Sequence, residues 1–279
     1  MSLRSLPKIN AFDRPTGYSW DVPSDALARW SETVVAAGDE PDTITIYDMI
    51  GADPWTGGGF TAKRMNAALR SIGAKDVTVQ INSPGGDVFE GLAIYNELAQ
   101  HKGAVNIEIM GIAASAASFI AMAGDDIKMG LGTFLMIHNA WGVVIGNRND
   151  MTEAAAMLEK IDGAMMDIYE ARTDLSRAEI EKYMNAETFF TASDAVEKGF
   201  ADHVTDKPVK DDAKAGLPAE ITAKRRIESI LSQAGVPRVE RRQLIKDAEG
   251  GVRDAAPTVM RDAGFDPAAI QRLIETMKT

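Results

Sequence analysis

The sequence predicts an α/β fold with a mostly parallel β-sheet. Short runs rich in β-branched residues alternate along the chain with segments whose apolar residues recur at helical spacing. Strands that alternate with helices form parallel pairs, because each helix returns the chain to the same end of the sheet. The predicted strands are Thr43–Met49, Val77–Asn82, Val105–Met110, Lys128–Met129, Phe134–Ile137 and Phe200–Val204.

Capping residues and apolar spacing place the helices between these strands. Thr61 can cap a helix that extends to Ile72, and Thr191 begins a short helix that stops at Gly199. Ser176 and Glu179 have the spacing of a capping box at the start of another short helix. The remaining predicted helices are Val88–Gln100, the small-residue segment Ala113–Ala123 and the long segment Asn149–Thr173.

Composition excludes several classes of protein and site. The chain has 279 residues, no Cys and three His, with 25% charged and 45% hydrophobic residues, as in soluble globular proteins. Without Cys there are no disulfides, thiolate nucleophiles or Cys-ligated metals, and three His make a multi-His metal centre improbable. We therefore expect no metal and no cofactor. The longest apolar stretch, Ile112–Ala123, is too short to span a bilayer, and the first 30 residues lack a signal-peptide core, so we expect a cytoplasmic protein without a membrane partner.

Charge is distributed unevenly along the chain. The net charge is −11, and residues 1–204 carry 29 acidic and 16 basic residues. A body this acidic repels phosphate, so we expect no nucleic-acid partner. Composition predicts an N-terminal extension over 1–40, a main α/β domain over 41–204, a charged linker over 205–218 and a small helical tail over 219–279.

Residues of four kinds in the main domain are candidates for chemistry. Ser83-Pro84-Gly85-Gly86 follows a strand and can turn backbone N–H groups outward as an oxyanion hole, although the same residues also suit a plain turn. Ser115 is placed where a strand gives way to a helix, as a nucleophile or as a simple N-cap. His138 ends an apolar strand, whereas His101 and His203 suit surface positions. Glu187, beside an aromatic pair, can orient an imidazole or lie solvated in a loop.

These pieces occur together, in the same order, in one known family. The chain resembles the proteolytic subunit of the Clp protease (ClpP), and in particular the phage and prophage branch of head-maturation proteases. The resemblance covers about residues 43–204 and implies the repeated β-β-α superhelix common to ClpP and crotonase. The matching stretches are Ile81–Gly86 with Gly91–Tyr95, Gly111–Ser115, Met136–His138 and Phe189–Asp202.

The resemblance implies a serine endopeptidase with a Ser-His-acid triad. Ser115 would be the nucleophile and His138 the general base. The third member would be Glu187, where most of the family has Asp. The oxyanion donors would be the N–H groups of Gly86 and Ala116. The groove in which a peptide adds as a strand would be bordered by Ser83, Pro84 and Gly85.

The resemblance also implies assembly and partners. The family forms seven-membered rings that stack, so we expect a heptamer or stacked heptamers. The long helix matches the region that joins two rings. An apolar stripe along it would serve that contact, although packing on the chain's own sheet would also explain one face of the helix. No P-loop motif is present, so any ATPase would be a separate partner. The phage branch is expected to act without an ATPase. It would cut capsid or scaffold proteins in the host cytoplasm or the prohead. The stripe residues are Ala154, Met157, Leu158, Ile161, Met165 and Ile168.

Three other interpretations remain open from the residues. A crotonase-type acyl-CoA enzyme also uses paired backbone N–H groups but has no need of a Ser nucleophile. A Ser–Lys enzyme would require a lysine base, for which Lys128 and Lys160 are the candidates. A structural or scaffold protein could retain the fold without activity, and the Glu at position 187 leaves that interpretation open.

Overall fold

The computed structural model describes residues 19–20, 42–52 and 58–205, together with single positions between 227 and 247. Residues Met1–Arg241 form one compact unit and Arg242–Thr279 a second. Thr205, the first residue of the predicted linker over 205–218, is described as part of a strand. The rest of that linker, most of the N-terminal extension and most of the helical tail lie outside the described residues. In the tail, the described positions Ile227, Ile230, Leu231, Arg241, Leu244, Ile245 and Asp247 are helical.

Strands and helices alternate through the described part of the first unit. The strands are β1 (Ser19–Trp20), β2 (Thr43–Ile46), β3 (Val77–Ser83), β4 (Val105–Ala114), β5 (Asp126–Gly130), β6 (Phe134–Ile137), β7 (Gly142–Val143), β8 (Thr188–Thr191) and β9 (His203–Thr205). The helices are α1 (Ala62–Ile72), α2 (Val88–Ala99), α3 (Ala116–Ala121), α4 (Arg148–Arg172), α5 (Arg177–Asn185) and α6 (Ala192–Glu197).

Most strand pairs of the main sheet are parallel, which confirms the predicted α/β class. The order is β2-β3-β4-β5-β9, with β6 beside β4 and β8 beside β6. Only β6 and β8 pair in antiparallel fashion within this sheet as it is described. Strand β4 is long enough for β5 to pair with residues 106–109 and β6 with residues 112–114 along one edge.

The end of β4 differs from the sequence prediction. The chain stays extended through Ala114, and the following helix covers only Ala116–Ala121 instead of 113–123. The residues Ile112, Ala113 and Ala114 are buried and pair with β6, so tertiary contacts override the helical tendency of alanine. Ser115 therefore lies at the junction of a strand and a helix.

The apolar core lies between the sheet and the helices that cover it. Side chains of β3, β4 and β5 are fully buried at alternate positions, among them Val79, Ile107 and Ile127. The long helix α4 packs on this core, because Met157, Ile161, Met165 and Ile168 belong to the same cluster. The apolar stripe of α4 is therefore buried within the chain, and the prediction that this stripe serves a contact between rings is corrected.

Two pairings had no sequence prediction. Strand β8 pairs with β6 in antiparallel register, although the sequence predicts no strand at these four residues. Strand β1 of the N-terminal extension pairs with β7 in a separate two-stranded sheet. Among the described residues, none of the helices combines the length and the apolar character needed to cross a bilayer.

Candidate active site

Ser115 occupies a sharp turn between β4 and α3. Its backbone has φ 54° and ψ −124°, a conformation that L residues rarely adopt. A strained strand-to-helix turn of this kind exposes the nucleophilic serine of α/β-hydrolases. Neighbouring strands fix the turn, because the Ser115 amide donates to the Met136 carbonyl of β6 at 3.0 Å.

Gly85 packs directly against this turn. A Cβ atom built on Gly85 would lie 2.6 Å from both the Ala114 oxygen and the Ser115 Cβ, and Gly85 has φ +89°. No side chain larger than hydrogen fits there, which explains the Gly at this position. The Ser83–Gly86 turn and the Ser115 turn therefore form one closely packed unit.

His138 follows the end of β6 and contacts Ser115. The distance between His138 Nε2 and Ser115 Oγ is 2.8 Å. His138 is 6% exposed, and burial lowers the pKa of its imidazole from 6.5 to about 4. The ring is therefore neutral at neutral pH, and the tautomer protonated at Nδ1 can accept the hydroxyl proton of Ser115.

The amides of Gly86 and Ala116 lie on the two turns that meet at this point. Within the described residues, neither amide donates to another protein group. The backbone groups on either side of the Gly86 amide do form hydrogen bonds. The Ile50 amide donates to the Gly85 carbonyl, and the Asp87 amide donates to the Ile50 carbonyl. The two amides thus keep their donors available for a bound group.

The three residues predicted to border the substrate groove are buried in this chain. Ser83, Pro84 and Gly85 are all buried, whereas Gly86 is half-buried. The Ser83 hydroxyl donates to the Asp48 carbonyl at 2.6 Å and accepts from the Gly85 amide at 3.2 Å. Ser83 therefore stabilises the turn from within, and Gly86 is its most accessible residue.

Glu187 lies close to His138 in the fold without bonding to it. Strands β6 and β8 pair Ile137 with Thr188, so the same register extended by one residue sets Glu187 opposite His138. Glu187 has φ 48° and an exposed side chain, and no hydrogen bond joins it to His138 in the described structure. Ser115 and Glu187 are the only non-glycine residues with positive φ in the described part of the chain.

The sequence analysis did not identify two hydroxyl groups, those of Ser118 and Tyr169, that hold the backbone of Ser115 in place. Ser118 Oγ donates to the Ser115 carbonyl at 2.6 Å and lies 2.8 Å from the Tyr169 hydroxyl. Because Ser118 has one hydroxyl proton, Tyr169 donates to Ser118, and burial raises the pKa of Tyr169, which keeps that proton in place. The repeated Ser of Ala-Ala-Ser-Ala-Ala-Ser was a visible signal for Ser118, whereas no sequence signal pointed to Tyr169.

The segment after His138 is held by two further side chains that were not predicted. The Ala140 amide donates to Asp162 Oδ1 of α4 at 2.6 Å, and Asn139 Nδ2 donates to Asn185 Oδ1 at 2.7 Å. Burial raises the pKa of Asp162 to about 6, an effect that the bond from Ala140 partly opposes. The loop that follows His138 is thereby joined to both α4 and α5.

The other candidate bases lie in different surroundings. His101 Nε2 is 2.7 Å from the Lys75 carbonyl, and the exposed His203 lies 3.3 Å from Asp126. Lys128 forms an ion pair with the same aspartate at 2.9 Å, and Lys160 is exposed. None of the four contacts Ser115 in the described structure.

A small pocket opens beside Ser115 and His138. Ala116, Phe119, Ala140, Trp141 and Met165 complete its lining with Gly86 and Val88. The described residues contain no group of three side chains able to hold a metal ion. A hydroxyl bonded to a neutral imidazole beside two available amides has the arrangement needed for nucleophilic acyl transfer.

Comparison with known proteins agrees with this arrangement. The family model described as Clp protease matches residues 62–208. The ATP-dependent Clp protease proteolytic subunit of Deinococcus radiodurans is 33% identical over 135 residues, which cover 48% of this chain and 66% of the relative. The corresponding subunit of Borreliella afzelii is 31% identical over 132 residues, covering 47% of this chain and 67% of the relative. Proteolytic subunit 1 of Borreliella burgdorferi is 30% identical over 133 residues, covering 47% and 69%.

The alignments cover about two thirds of the length of each relative. The region that the family model matches contains Gly86, Ser115, Ala116, His138 and Glu187. The residues before 62 and after 208 lie outside the family match. The chain belongs to the Clp protease family of serine-type peptidases.

Proposed function

We propose that this protein is a serine endopeptidase in which Ser115 attacks the peptide carbonyl. The observation that carries the proposal is the 2.8 Å contact between Ser115 Oγ and His138 Nε2 at a strained strand-to-helix turn. An ordinary N-cap serine would have extended backbone and would bond to its own helix, whereas Ser115 makes no such cap bond. The geometry therefore favours a nucleophile over a cap.

His138 acts first as general base and then as general acid. It accepts the Ser115 proton as the tetrahedral intermediate forms and then gives that proton to the leaving amine, which releases the amine and leaves an acyl-enzyme. Water, deprotonated by the same imidazole, then hydrolyses the ester bond and regenerates Ser115. The lowered pKa of His138, about 4, supports the first role because the ring is unprotonated at neutral pH.

The amides of Gly86 and Ala116 form the oxyanion hole. Both lie on turns in contact with Ser115, and neither is used by another described group. Donors fixed in position stabilise the negative charge of the intermediate without reorganisation during the reaction. The absence of any side chain at Gly85 allows the two turns to approach closely enough for this.

Glu187 is the third member of the triad in this proposal. The β6–β8 register sets it opposite His138, and its positive φ is a strained conformation of the kind found at functional sites. This role requires its exposed side chain to turn so that the carboxylate reaches His138 Nδ1. A carboxylate at that atom orients the ring and stabilises the imidazolium formed during attack.

The biological setting follows from the sequence resemblance. We infer that the protein acts within the phage and prophage head-maturation branch, on capsid or scaffold proteins in the host cytoplasm or the prohead. A ring of seven subunits, or two stacked rings, would enclose the active sites. The named relatives are ATP-dependent, so an ATPase partner is the alternative arrangement for this chain.

A fluorophosphonate probe tests the proposed activity. Such a probe reacts with a serine that a base and an oxyanion hole have activated. We expect one adduct on the wild-type chain by intact-mass spectrometry and none on Ser115→Ala. A Ser118→Ala variant is the matched control, because it retains the nucleophile and removes only its support, and it should still be labelled, at a lower rate.

The absence of an adduct on the wild-type chain, including its largest oligomer, would contradict the proposal. That result would favour an inactive structural protein with the same fold. An acyl-CoA enzyme would instead show tight binding of an acyl-CoA thioester to both the wild type and Ser115→Ala.

A further inference from the structure

The N-terminal extension adds a strand next to the candidate active site. Strand β1 pairs with β7 in antiparallel register, with Ser19 opposite Val143 and Trp20 opposite Gly142. This ribbon is separate from the seven-stranded sheet. The extension lies outside the residues that match the Clp protease family.

Strand β7 is directly continuous with the residues that surround Ser115. It begins four residues after His138, and the intervening Ala140 and Trp141 line the pocket beside the nucleophile. Trp141 and Ile145, on either side of β7, are 43% and 84% exposed. The loop that leads into β7 is fixed by the bond from the Ala140 amide to Asp162.

A peptidase must hold its substrate in an extended form beside the nucleophile. Edge strands do this by adding the peptide as another strand through backbone hydrogen bonds, while side chains next to the strand contact alternate residues of the peptide. The pairing with β1 demonstrates that β7 accepts an extended segment in antiparallel direction. The exposed Trp141 and Ile145 offer apolar surface to such a segment.

We propose that Ser19–Trp20 is a tethered occupant of the edge on which a peptide substrate must pair, so that a substrate has to displace this segment before it is cut. The proposal rests on the proposed peptidase function and adds to it a competition between the chain's own extension and its substrate. Both would use the backbone groups that β7 directs toward β1, so they cannot bind at the same time.

The size of the ribbon suits an occupant that can be displaced. A two-stranded ribbon of two residues per strand has little stability of its own in water. The tether offsets this weakness, because a covalent link gives the segment an effective concentration on the order of millimolar at the edge. A substrate with several pairing residues can therefore replace it, whereas a weakly pairing peptide cannot.

A reversible disulfide tests this competition, since the full chain has no native Cys. Residues directly opposite in an antiparallel pair are close enough to link, so Ser19→Cys/Val143→Cys and Trp20→Cys/Gly142→Cys should each be tested. In a Ser115→Ala background, binding of fluorescein-labelled casein is measured by anisotropy. We expect binding to weaken at least tenfold on oxidation and to return on reduction, whereas each single-Cys control should bind equally in both conditions.

An opened variant provides the opposite change. In an antiparallel ladder, only one of two adjacent residues directs its N–H to the partner strand. Proline has no backbone N–H, so the double variant Ser19→Pro/Trp20→Pro removes that donor whichever of the two residues supplies it. Casein should bind this variant more tightly than it binds Ser19→Ala/Trp20→Ala, which retains the backbone donors. Equal binding by the locked and reduced chains, or a disulfide that forms only between chains, would overturn the proposal.

The proposed function is judged separately in the same proteins. With Ser115 restored, the fluorophosphonate probe should label the locked and reduced chains at similar rates, because a small probe does not pair with β7. Loss of labelling in every variant would contradict the peptidase function, while the casein-binding result in Ser115→Ala would still decide the competition.

Discussion

Individual residues at the candidate site depend on backbone conformations that few side chains tolerate. Gly85 and Gly132 both have positive φ, but a Cβ at Gly85 would clash with Ala114 and Ser115, whereas a Cβ at Gly132 would meet nothing within 4 Å. We expect Gly132→Ala to lower the free energy of unfolding by about 1 kcal/mol through backbone strain alone, with probe labelling unchanged.

Gly85→Ala should lower the free energy of unfolding by about 3 kcal/mol or more, since a steric clash adds to the strain. Probe labelling should be lost, because the Ser115 turn must move to accommodate the methyl group. Urea unfolding and the labelling rate of the folded protein measure the two effects. Equal behaviour of the two variants would indicate that the contact between the turns has no role in placing Ser115.

The buried imidazole of His138 predicts a pH dependence with a definite sign. Its pKa is about 4 in the folded chain and about 6.5 when unfolded, so the unfolded state binds more protons between these values. The free energy of unfolding should therefore decrease as the pH falls through this interval, by about 2 kcal/mol between pH 7 and pH 5. The raised pKa of Asp162 acts in the opposite direction.

Comparison with His138→Gln isolates this contribution, because Asp162 is common to both proteins. The wild type should lose about 2 kcal/mol more than the variant on going from pH 7 to pH 5. Probe labelling of the wild type should have its acidic midpoint near pH 4, where His138 becomes protonated. A midpoint above pH 6 would mean that a carboxylate or water stabilises the charged ring in the reactive state.

Sequence patterns identified the residue types at the site more readily than their arrangement. Ser115 and His138 are 23 positions apart, and only the pairing of β4 with β6 brings them together. The glycines of the Ser83–Gly86 turn were evident from the sequence, but the packing of Gly85 on Ser115 depends on long-range folding. Tyr169 could not be identified, because its role depends on one contact with Ser118.

At the level of elements, capping signals were reliable and strand ends were not. The predicted caps at Thr61, Ser176 and Thr191 are all observed, because local side-chain bonds to the first helical turn decide them. The extension of β4 to Ala114 and the strand β8 were missed. Both depend on pairing with β6, which no local pattern indicates.

The end of helix α5 sets the conformation of Glu187. Ala186 ends the helix, and the Glu187 amide donates to the Met184 carbonyl at 3.1 Å with φ 48°, a position that favours glycine. Glu187→Gly should therefore raise the free energy of unfolding by about 1 kcal/mol. If Glu187 serves His138, the same variant should label at least about tenfold more slowly.

Glu187→Gln is the matched variant, because it retains the strain and removes only the negative charge. It should leave stability nearly unchanged and slow labelling to a similar degree. Labelling at the wild-type rate in both variants would show that Glu187 is a helix-terminal residue without a part in the triad, and that His138 works without a carboxylate.

For the whole molecule, the question is which apolar surface remains for assembly. The stripe along α4 is used within the chain, so Ile161, which is 0% exposed, contributes to folding. Met151 in the first turns of the same helix is 43% exposed and remains outside the core. The contacts between subunits of a ring would require exposed residues such as Met151, because the α4 stripe is buried within the chain.

Two substitutions on α4 separate folding from assembly. Ile161→Ala should lower the free energy of unfolding by about 3 kcal/mol, because it leaves a cavity in the core. The protein that remains folded should form oligomers of the same size as the wild type. Met151→Asp should change stability by less than about 0.5 kcal/mol but shift the sedimenting species from about seven times the chain mass of 30.0 kDa, or a multiple of that, to smaller assemblies. The reason is that burying a charge at a subunit contact costs free energy, whereas a charge at an exposed site does not. An unchanged sedimentation profile for Met151→Asp would therefore place the ring contacts elsewhere on the chain.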